Sequence, residues 1–333
     1  MDSHLVMEYV RVFCLISCLM IAGYSDYSKL IVRDKIWIFW TLPAILLLII
    51  HFIILQLSIW NILMIFLPIS LAAVTVYEIP KFDSINSVNS SFLTIYLFGI
   101  IGLFGGLLNY IDVDFYTLIS GEEEINTRIW WTLLFSSVTI IIFILTYKIG
   151  LLQGGADIKA LIWITLLAPS WYFIPKPYIY SHTSIIDYEE IVFQIPPSFV
   201  LFLWAGGLFI VTPPFFLLKN ALKGDIKELS DLKTAWHATK MPLTQIKADK
   251  IWLLSDVVLD KSGNKSHTVN LFIPQKNNNN NQSLQEKIEF LIEKGLESAW
   301  VTSKHPFVTY LFLATIPMFI IGDPVAIMMN KLL

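Results

Sequence analysis

Two aspartates stand out because each lies at the edge of an apolar run, beside small and basic residues. Asp26 follows the first run in Gly-Tyr-Ser-Asp-Tyr-Ser-Lys, and Asp157 precedes a later run in Gly-Gly-Ala-Asp-Ile-Lys. Burying a charge in the membrane is costly unless a function or a partner retains it. Two carboxylates held close do not both ionise readily, so such a pair shares one proton and can act as acid and base on a single water. If the fold brings these aspartates together, their chemistry is aspartic proteolysis.

The glycines before Asp157 fit that chemistry. Gly154 and Gly155 remove side chains where a backbone must approach closely or take a positive φ, which would let a substrate strand or Asp26 come near Asp157. The alternative is a loop turn in which Asp157 caps the start of a helix. Asp26 taken alone is more typical of an ordinary interfacial charge beside Lys29 than of a catalytic group. The combination of both aspartates is what favours a catalytic pair.

Three more ionisable residues bear on this site. Asp34 and Lys159 each stand within one or two helical turns of a candidate aspartate, and we expect both to support the site electrostatically. Asp323 lies in Ile-Gly-Asp-Pro within a late apolar run. This pattern favours a helix break whose carboxylate is satisfied locally, with a supporting role near the aspartate pair as the alternative.

The sequence predicts neither a metal nor a cofactor. Its two cysteines, Cys14 and Cys18, lie four residues apart in an apolar run and are typical of small buried fillers on one helix face. Several histidines are scattered without the spacing of a zinc site. They are His51, His182, His237, His267 and His305.

The composition excludes an ordinary soluble domain. Of the 333 residues, 56% are hydrophobic and 15% are charged, against about 45–50% and about 25% in soluble proteins. The mean hydropathy is +0.65. A net charge of −3 argues against a nucleic-acid partner, whose phosphates require a clustered basic excess. The expected surroundings are the lipid bilayer.

The elements that position the aspartates are therefore expected to be membrane helices. A helix needs about 20 mostly apolar residues to cross a hydrocarbon layer of roughly 30 Å. The predicted fold is an all-α polytopic membrane protein of about eight transmembrane helices, with a small cytoplasmic α+β insertion before the last helix. The predicted spans cover 7–24, 36–57, 59–79, 92–111, 129–149, 158–174, 197–218 and 306–329. We divide the chain into a membrane core (1–218), a cytoplasmic region (219–305) and a C-terminal helix (306–333).

Basic residues in the connections predict the orientation, because short loops rich in lysine and arginine stay cytoplasmic. Such residues follow spans one, three and five; they are Lys29, Arg33, Lys35, Lys81, Lys148 and Lys159. The loop 112–127 holds five carboxylates and no lysine or arginine, and the loop 176–196 is also net acidic. These two loops are predicted to be exterior. Both candidate aspartates then lie at the cytoplasmic face.

The connection 219–305 breaks the hydrophobic pattern and carries thirteen lysines, so it is predicted to be cytoplasmic. Short β-like runs at 251–254, 257–259 and 268–273 surround the turn signal Ser-Gly-Asn at 262–264 and predict a hairpin. The asparagine-rich stretch 274–282 is predicted to be a flexible linker. A capping-box pattern, Ser283 with Glu286, then predicts a helix. Its apolar face is expected to hold Leu284, Ile288, Leu291 and Ile292.

Three ordered segments resemble a known family. Residues 26–37, Asp-Tyr-Ser-Lys-Leu-Ile-Val-Arg-Asp-Lys-Ile-Trp, look like the first catalytic motif of archaeal preflagellin and prepilin peptidases. Residues 154–161, Gly-Gly-Ala-Asp-Ile-Lys-Ala-Leu, resemble the second motif, the archaeal version of the Gly-x-Gly-Asp signature. Residues 300–307 and Gly322-Asp323 are similar to the C-terminal segment of the longer members. Together the segments span nearly the whole chain.

This resemblance implies a type IV prepilin peptidase-like aspartic protease with Asp26 and Asp157 as its catalytic pair. The implied substrates are precursor pilins or archaellins with class III signal peptides, cleaved at the cytoplasmic face of the cell membrane. The chain departs from the family at Leu30, where arginine is frequent, and by a longer separation between the aspartates. It has no Cys-x-x-Cys pairs, so the methylation performed by bacterial relatives is not implied.

Two other functions remain open at the sequence level. A proton-coupled transporter would use Asp26, Asp157 and Asp323 as a relay, with its acids near the bilayer midplane on broken helices. Alternatively, the helices would serve only as a membrane anchor for the region 219–305.

Overall fold

The fold is given by a computed structural model, which describes residues 3–77, 87–152, 154–179, 195–246, 251–259, 265–270, 281–303 and 305–332. This part of the chain is mostly helical, with a small sheet near the C-terminus. It forms two compact units, one from Met1–Gly206 with Phe307–Leu333 and the other from Gly207–Pro306.

The first unit is a helical bundle. Its helices are α1 (Ser3–Lys29), α2 (Asp34–Ile54), α3 (Ile59–Met64), α4 (Phe66–Ala73), α5 (Ser87–Tyr110), α6 (Phe115–Ser120), α7 (Ile125–Lys148), α8 (Gly155–Leu167), the start of α9 (Pro197–Leu222), α12 (Phe307–Ile320) and α13 (Pro324–Leu332). A short 3-10 turn, Trp171–Phe173, follows α8. Within the bundle, α1 contacts α2, α8 and α12, and α8 also contacts α2, α7 and α12.

Among the residues that the structure describes, five helices are long and apolar enough to cross a membrane: α1, α2, α5, α7 and α9. They correspond to predicted spans one, two, four, five and seven. The described residues therefore support a multi-pass membrane protein, while the predicted count of eight spans is not confirmed. The stretches at spans three, six and eight form shorter or broken helices.

The structure shows where each of these three predicted spans is interrupted or cut short. In span three, α3 and α4 meet at Ile65, whose φ of −55° and ψ of −34° are helical, and together they form one apolar stretch, Ile59–Ala73, that is shorter than the predicted span. In span six, α8 ends at Leu167 because Ala168, which precedes Pro169, leaves the helical region with φ −133°. Span eight divides where Gly322 takes φ +91°, a left-handed conformation that ends helices. Asp323 then caps α13, its Oδ1 accepting the Val325 N–H at 2.8 Å, so the helix break expected from the sequence is confirmed.

Small residues let the helices around α1 pack closely. A side chain at Gly23 would place its Cβ 3.4 Å from the Thr309 Cα of α12, and the Thr309 hydroxyl donates to the Gly23 carbonyl at 2.9 Å. Cys14 and Cys18 are free and buried on the same helix, as the sequence predicts. The C-terminal part of α1 is therefore packed against the start of α12.

The second unit is a small α/β fold. Its strands are β1 (Thr239–Pro242), β2 (Ile251–Leu253), β3 (Ser255–Leu259), β4 (Lys265–Asn270) and β5 (Ser298–Ser303), and its helices are α10 (Leu229–Ala235) and α11 (Asn281–Glu293) with the end of α9. An antiparallel sheet has the order β1-β5-β2, and β3 pairs with β4 in an antiparallel hairpin. Two buried clusters fill this unit, one around Trp300 and the other around Leu243 and Leu291.

The structure confirms some sequence predictions for this unit and corrects others. The hairpin is present, although its predicted turn at 262–264 lies outside the described residues, as do Lys81, His182 and most of the loop 176–196. The predicted linker is too long, because α11 begins at Asn281, and the predicted helix start at Ser283 is two residues late. Residues 274–280 of the linker also lie outside the described chain. Ile292 is half-exposed, so it does not belong to the buried face that holds Leu291.

Candidate active site

Asp26 lies in the last turn of α1 and is 7% exposed. Its Oδ2 accepts the backbone N–H of Val308 at 2.9 Å. Val308 is the second residue of α12, and the first N–H groups of a helix have no partner within that helix. The Asp26 carboxylate therefore meets the positive end of α12, which holds its position and satisfies a free donor.

The turn after Asp26 is strained and closed by hydrogen bonds. Leu30 has φ +55°, in the left-handed region that glycine or asparagine adopts more readily. Its N–H donates to the Asp26 carbonyl at 2.8 Å, and the Ser25 hydroxyl donates to the Ile31 carbonyl at 2.8 Å. These bonds fix the direction in which the chain leaves Asp26 toward α2.

Asp157 is the third residue of α8, in the first turn, where a carboxylate is favoured by the helix dipole. Its side chain folds back over Gly154. A Cβ at residue 154 would lie only 1.9 Å from Asp157 Oδ2 and 2.5 Å from its Cγ. Glycine at this position therefore leaves the space that the carboxylate occupies.

The two glycines do not have equal roles, which corrects the expectation from the sequence. Gly154 has φ −87°, and the described glycines with positive φ do not include Gly155. The positive-φ explanation is therefore wrong for both residues. A Cβ at Gly155 would meet only the Tyr147 hydroxyl, at an ordinary 3.6 Å. Close approach is a requirement at Gly154 alone.

The two aspartates are brought to neighbouring helix ends. Helix α1 contacts α8, and the carboxylate of Asp26 acts electrostatically on that of Asp157. Asp157 lies outside the helices long enough to cross a membrane. Burial first, and the nearby Asp26 charge second, raise the pKa of Asp157 to about 7. Near neutral pH the pair can therefore hold one proton, as a general acid and base sharing one water require.

Asp34 and Lys159 pair with each other. Lys159 Nζ lies 2.6 Å from Asp34 Oδ1, which joins the first residue of α2 to the first turns of α8. The Lys159 side chain is mostly buried, whereas that of Asp34 is half-exposed. Asp34 and Lys159, the two residues expected from the sequence to support the site electrostatically, thus form a single ion pair between the two motifs.

The remaining candidate residues lie elsewhere. Asp323 has the local capping role described above. Within the described ranges, no group of three or more His, Cys, Asp or Glu side chains is arranged to hold a metal ion. His51 lies fully buried on α2, and His305 lies beside Phe209 and Phe216 in the other unit.

Sequence reasoning missed Arg11, which is completely buried on α1. Its guanidinium donates to the carbonyls of Leu167 (2.5 Å) and Leu47 (2.9 Å) and lies 5.0 Å from the centre of the Phe173 ring. Arg11 thus ties α1 to α2 and to the last residue of α8. A lone arginine inside an apolar run was the available signal. The Val308 N–H, by contrast, has no sequence signature.

No family model matches the chain, and no curated protein matches it. The likeness to archaeal preflagellin and prepilin peptidases therefore rests on the motif residues quoted above. What the fold adds is the placement of those residues around α1, α2, α8 and α12.

Proposed function

We propose that this chain is a membrane aspartic endopeptidase that removes the basic leader peptide from preflagellin or type IV pilin-like precursors. The observation that carries the proposal is the convergence of Asp26 and Asp157. They come from distant parts of the chain, lie at adjacent helix ends, and are close enough for one carboxylate to act on the other. The bridge between Asp34 and Lys159 lies beside them.

The proposed mechanism follows from the environments of the two carboxylates. Asp157, whose pKa is raised to about 7, holds the shared proton. Asp26, held by the Val308 N–H, takes a proton from the water that attacks the scissile carbonyl carbon. Asp157 gives its proton to the carbonyl oxygen as the tetrahedral intermediate forms. When the C–N bond breaks, Asp26 gives its proton to the leaving nitrogen. Asp157 takes a proton from a hydroxyl of the intermediate as the new carboxyl group forms, so the pair returns to its starting state.

The surface beside the site fits a substrate with an apolar helix. A cavity of about 160 Å³ opens next to Lys159 and is lined mainly by apolar side chains of α2, α4, α5 and α8, including Trp37, Ile69, Phe92 and Trp163. Pilin-like precursors carry a basic leader followed by an apolar segment. The cavity would receive part of that apolar segment, while the leader would lie toward the carboxylates.

We propose that the site faces the cytoplasm. Lys29, Arg33 and Lys35 follow Asp26 directly, and short basic loops stay inside. This orientation is testable by cysteine labelling from outside intact cells, since both native cysteines are buried. A cysteine at exposed Asp112 should react and one at exposed Glu286 should not. The reverse pattern would contradict a cytoplasmic site.

The decisive experiment is co-expression with candidate precursors, with leader removal scored by a gel shift. Asp26→Asn and Asp157→Asn should each abolish cleavage at normal membrane abundance, because a carboxamide keeps the volume and removes the exchangeable proton. Asp112→Asn, an exposed aspartate of the loop after α5, is the matched control and should cleave normally. Retained cleavage by either of the first two variants would overturn the proposed mechanism.

A proton-coupled transporter is the weaker alternative. That function requires Asp323 as the third member of a relay, whereas its Oδ1 accepts the Val325 N–H as a helix cap. Asp323→Asn keeps an acceptor oxygen for that cap. Leader removal that survives this change, while Asp26→Asn abolishes it, would separate the peptidase from a three-acid relay.

A further inference from the structure

Helix α10 presents its apolar side outward. Leu229, Leu232 and Trp236 are 84%, 41% and 43% exposed. Their spacing of three and four residues places them on one face of the helix and its C-cap, with exposed Lys233 beside them. The opposite side is buried through Thr234 and Ala235. A helix on the surface of a soluble domain has the reverse arrangement, with its polar side toward water.

Side-chain hydrogen bonds fix α10 next to the end of α9. Asn220, which is fully buried, donates its amide N–H groups to the carbonyls of Ala235 and Ala238, both at 2.7 Å. These carbonyls lie at and just beyond the C-terminal end of α10. Asn220 stands two residues before the end of α9, one of the helices long and apolar enough to cross a membrane. The end of α10 is therefore held beside the last turn of α9.

Apolar packing supports the same attachment. Ala235 and Ala238 belong to a buried cluster with Leu254 and Trp300, and Leu217 of α9 packs against that cluster. The inner side of α10 is thus packed against other residues of its own unit. Only the outer face is available to another surface.

Basic and acidic side chains are equally frequent around this face. Lys223, Lys227 and Lys233 are exposed on the connection from α9 and on α10 itself. Asp225, Glu228 and Asp231 lie among these lysines. Asp231 accepts the N–H groups of Lys227 (3.0 Å) and Glu228 (3.1 Å) in a capping box. Exposed leucine and tryptophan flanked by lysine is the chemistry of an interfacial membrane helix.

We propose that α10 docks on the membrane surface. Leu229, Leu232 and Trp236 enter the interface between headgroups and acyl chains, and the three lysines contact anionic lipid headgroups. The attachment through Asn220 selects a lipid surface over a soluble partner, because it holds this face beside the membrane end of α9. The docked helix anchors the α/β unit to the bilayer.

The test uses the full-length protein in vesicles with a fluorophore on a single introduced cysteine. Leu232→Cys carries an environment-sensitive label, and Glu286→Cys on α11 is the matched exposed control in the same unit. Trp236→Cys provides a second site on the proposed face. The vesicles contain phosphatidylcholine alone or with added phosphatidylglycerol, and a nitroxide-bearing lipid quenches labels that enter the interface. Both native cysteines are buried, and the unsubstituted chain serves as the labelling blank.

The labels at 232 and 236 should shift to shorter emission wavelength and be quenched several-fold more than the label at 286, most strongly with phosphatidylglycerol. Replacing Lys223, Lys227 and Lys233 together by glutamine should reduce the quenching to its value in phosphatidylcholine alone. Equal behaviour of the labels at 232 and 286 would overturn the proposal. Shielding from water without quenching by lipid would also overturn it, since a protein or a second copy would then cover the face. Quenching that is indifferent to both phosphatidylglycerol and the lysines would refute the anionic-headgroup contact.

Discussion

Lys159 Nζ lies 2.6 Å from Asp34 Oδ1, so an ion pair joins the two motifs that carry the candidate catalytic aspartates. Lys159 follows Asp157 by half a turn of α8, and Asp34 begins α2 just after the turn that leaves Asp26. Because Asp34 is half-exposed, the pair contributes only about 0–1 kcal/mol to stability. The pair joins the start of α8 to the start of α2, which follows the turn after α1.

Asp34→Asn and Lys159→Gln should therefore reduce the rate of leader removal, each by less than about tenfold, since tenfold corresponds to about 1.4 kcal/mol. The double variant should be no slower than the slower single variant, because the pair is one interaction. Cleavage rates of all four proteins at matched membrane abundance form the double-mutant cycle. Strictly additive losses would show that the two side chains act separately.

Gly154 and Gly155 should respond differently to the same substitution. In Gly154→Ala the new Cβ would start 1.9 Å from Asp157 Oδ2, so the carboxylate must move and cleavage should fall by about tenfold or more. Gly155→Ala adds a Cβ with ordinary contacts and should retain most activity. The measurement is the initial rate of leader removal by both variants. Equal loss in both, or none in Gly154→Ala, would contradict the role assigned to Gly154.

The sequence predicted elements that depend on local composition. The five long apolar helices follow from hydropathy over about 20 residues, and the break at Asp323 follows from its Gly and Pro neighbours. The shorter and divided spans were missed because hydropathy does not register where the backbone leaves the helical region, as it does at Ala168 and Gly322. A continuous apolar run is compatible with one helix or two.

The sequence did not predict which elements distant in the chain pair with one another. β5 at Ser298–Ser303 is the central strand of its sheet, yet its partners β1 and β2 are distant in the chain and its own pattern is short. The same is true of the site. The two aspartates were identifiable by their flanking residues, whereas the Val308 N–H that holds Asp26 is a backbone group from the far end of the chain.

The rate of leader removal should fall as the pH rises above about 7. Burial and the Asp26 charge raise the pKa of Asp157 to about 7, so below that pH Asp157 is protonated and the pair holds its shared proton. Above it Asp157 ionises, the general acid disappears, and the rate should approach a fall of about tenfold per pH unit. The pH–rate profile of the reconstituted protein measures this, with recovery on return to mildly acidic buffer as the control for unfolding. A rate that keeps rising well above neutral pH would show that protonated Asp157 is not the acid.

Arg11→Leu should destabilise the helical bundle more than Cys14→Ala does on the same helix. The guanidinium is fully buried and donates to the carbonyls of Leu47 and Leu167, so its removal leaves both without that donor and loosens α8 from α1. A buried carbonyl left without its donor costs about 1–3 kcal/mol. Cys14→Ala, a buried position one turn further along α1, is the matched control and should cost about 1 kcal/mol, because it removes a single sulfur from the packing. Thermal unfolding in detergent measures both, and Arg11→Lys, which keeps a charge but reaches only one carbonyl, should lie between them. If Arg11→Leu unfolds at the same temperature as Cys14→Ala, the guanidinium does not hold these three helices together.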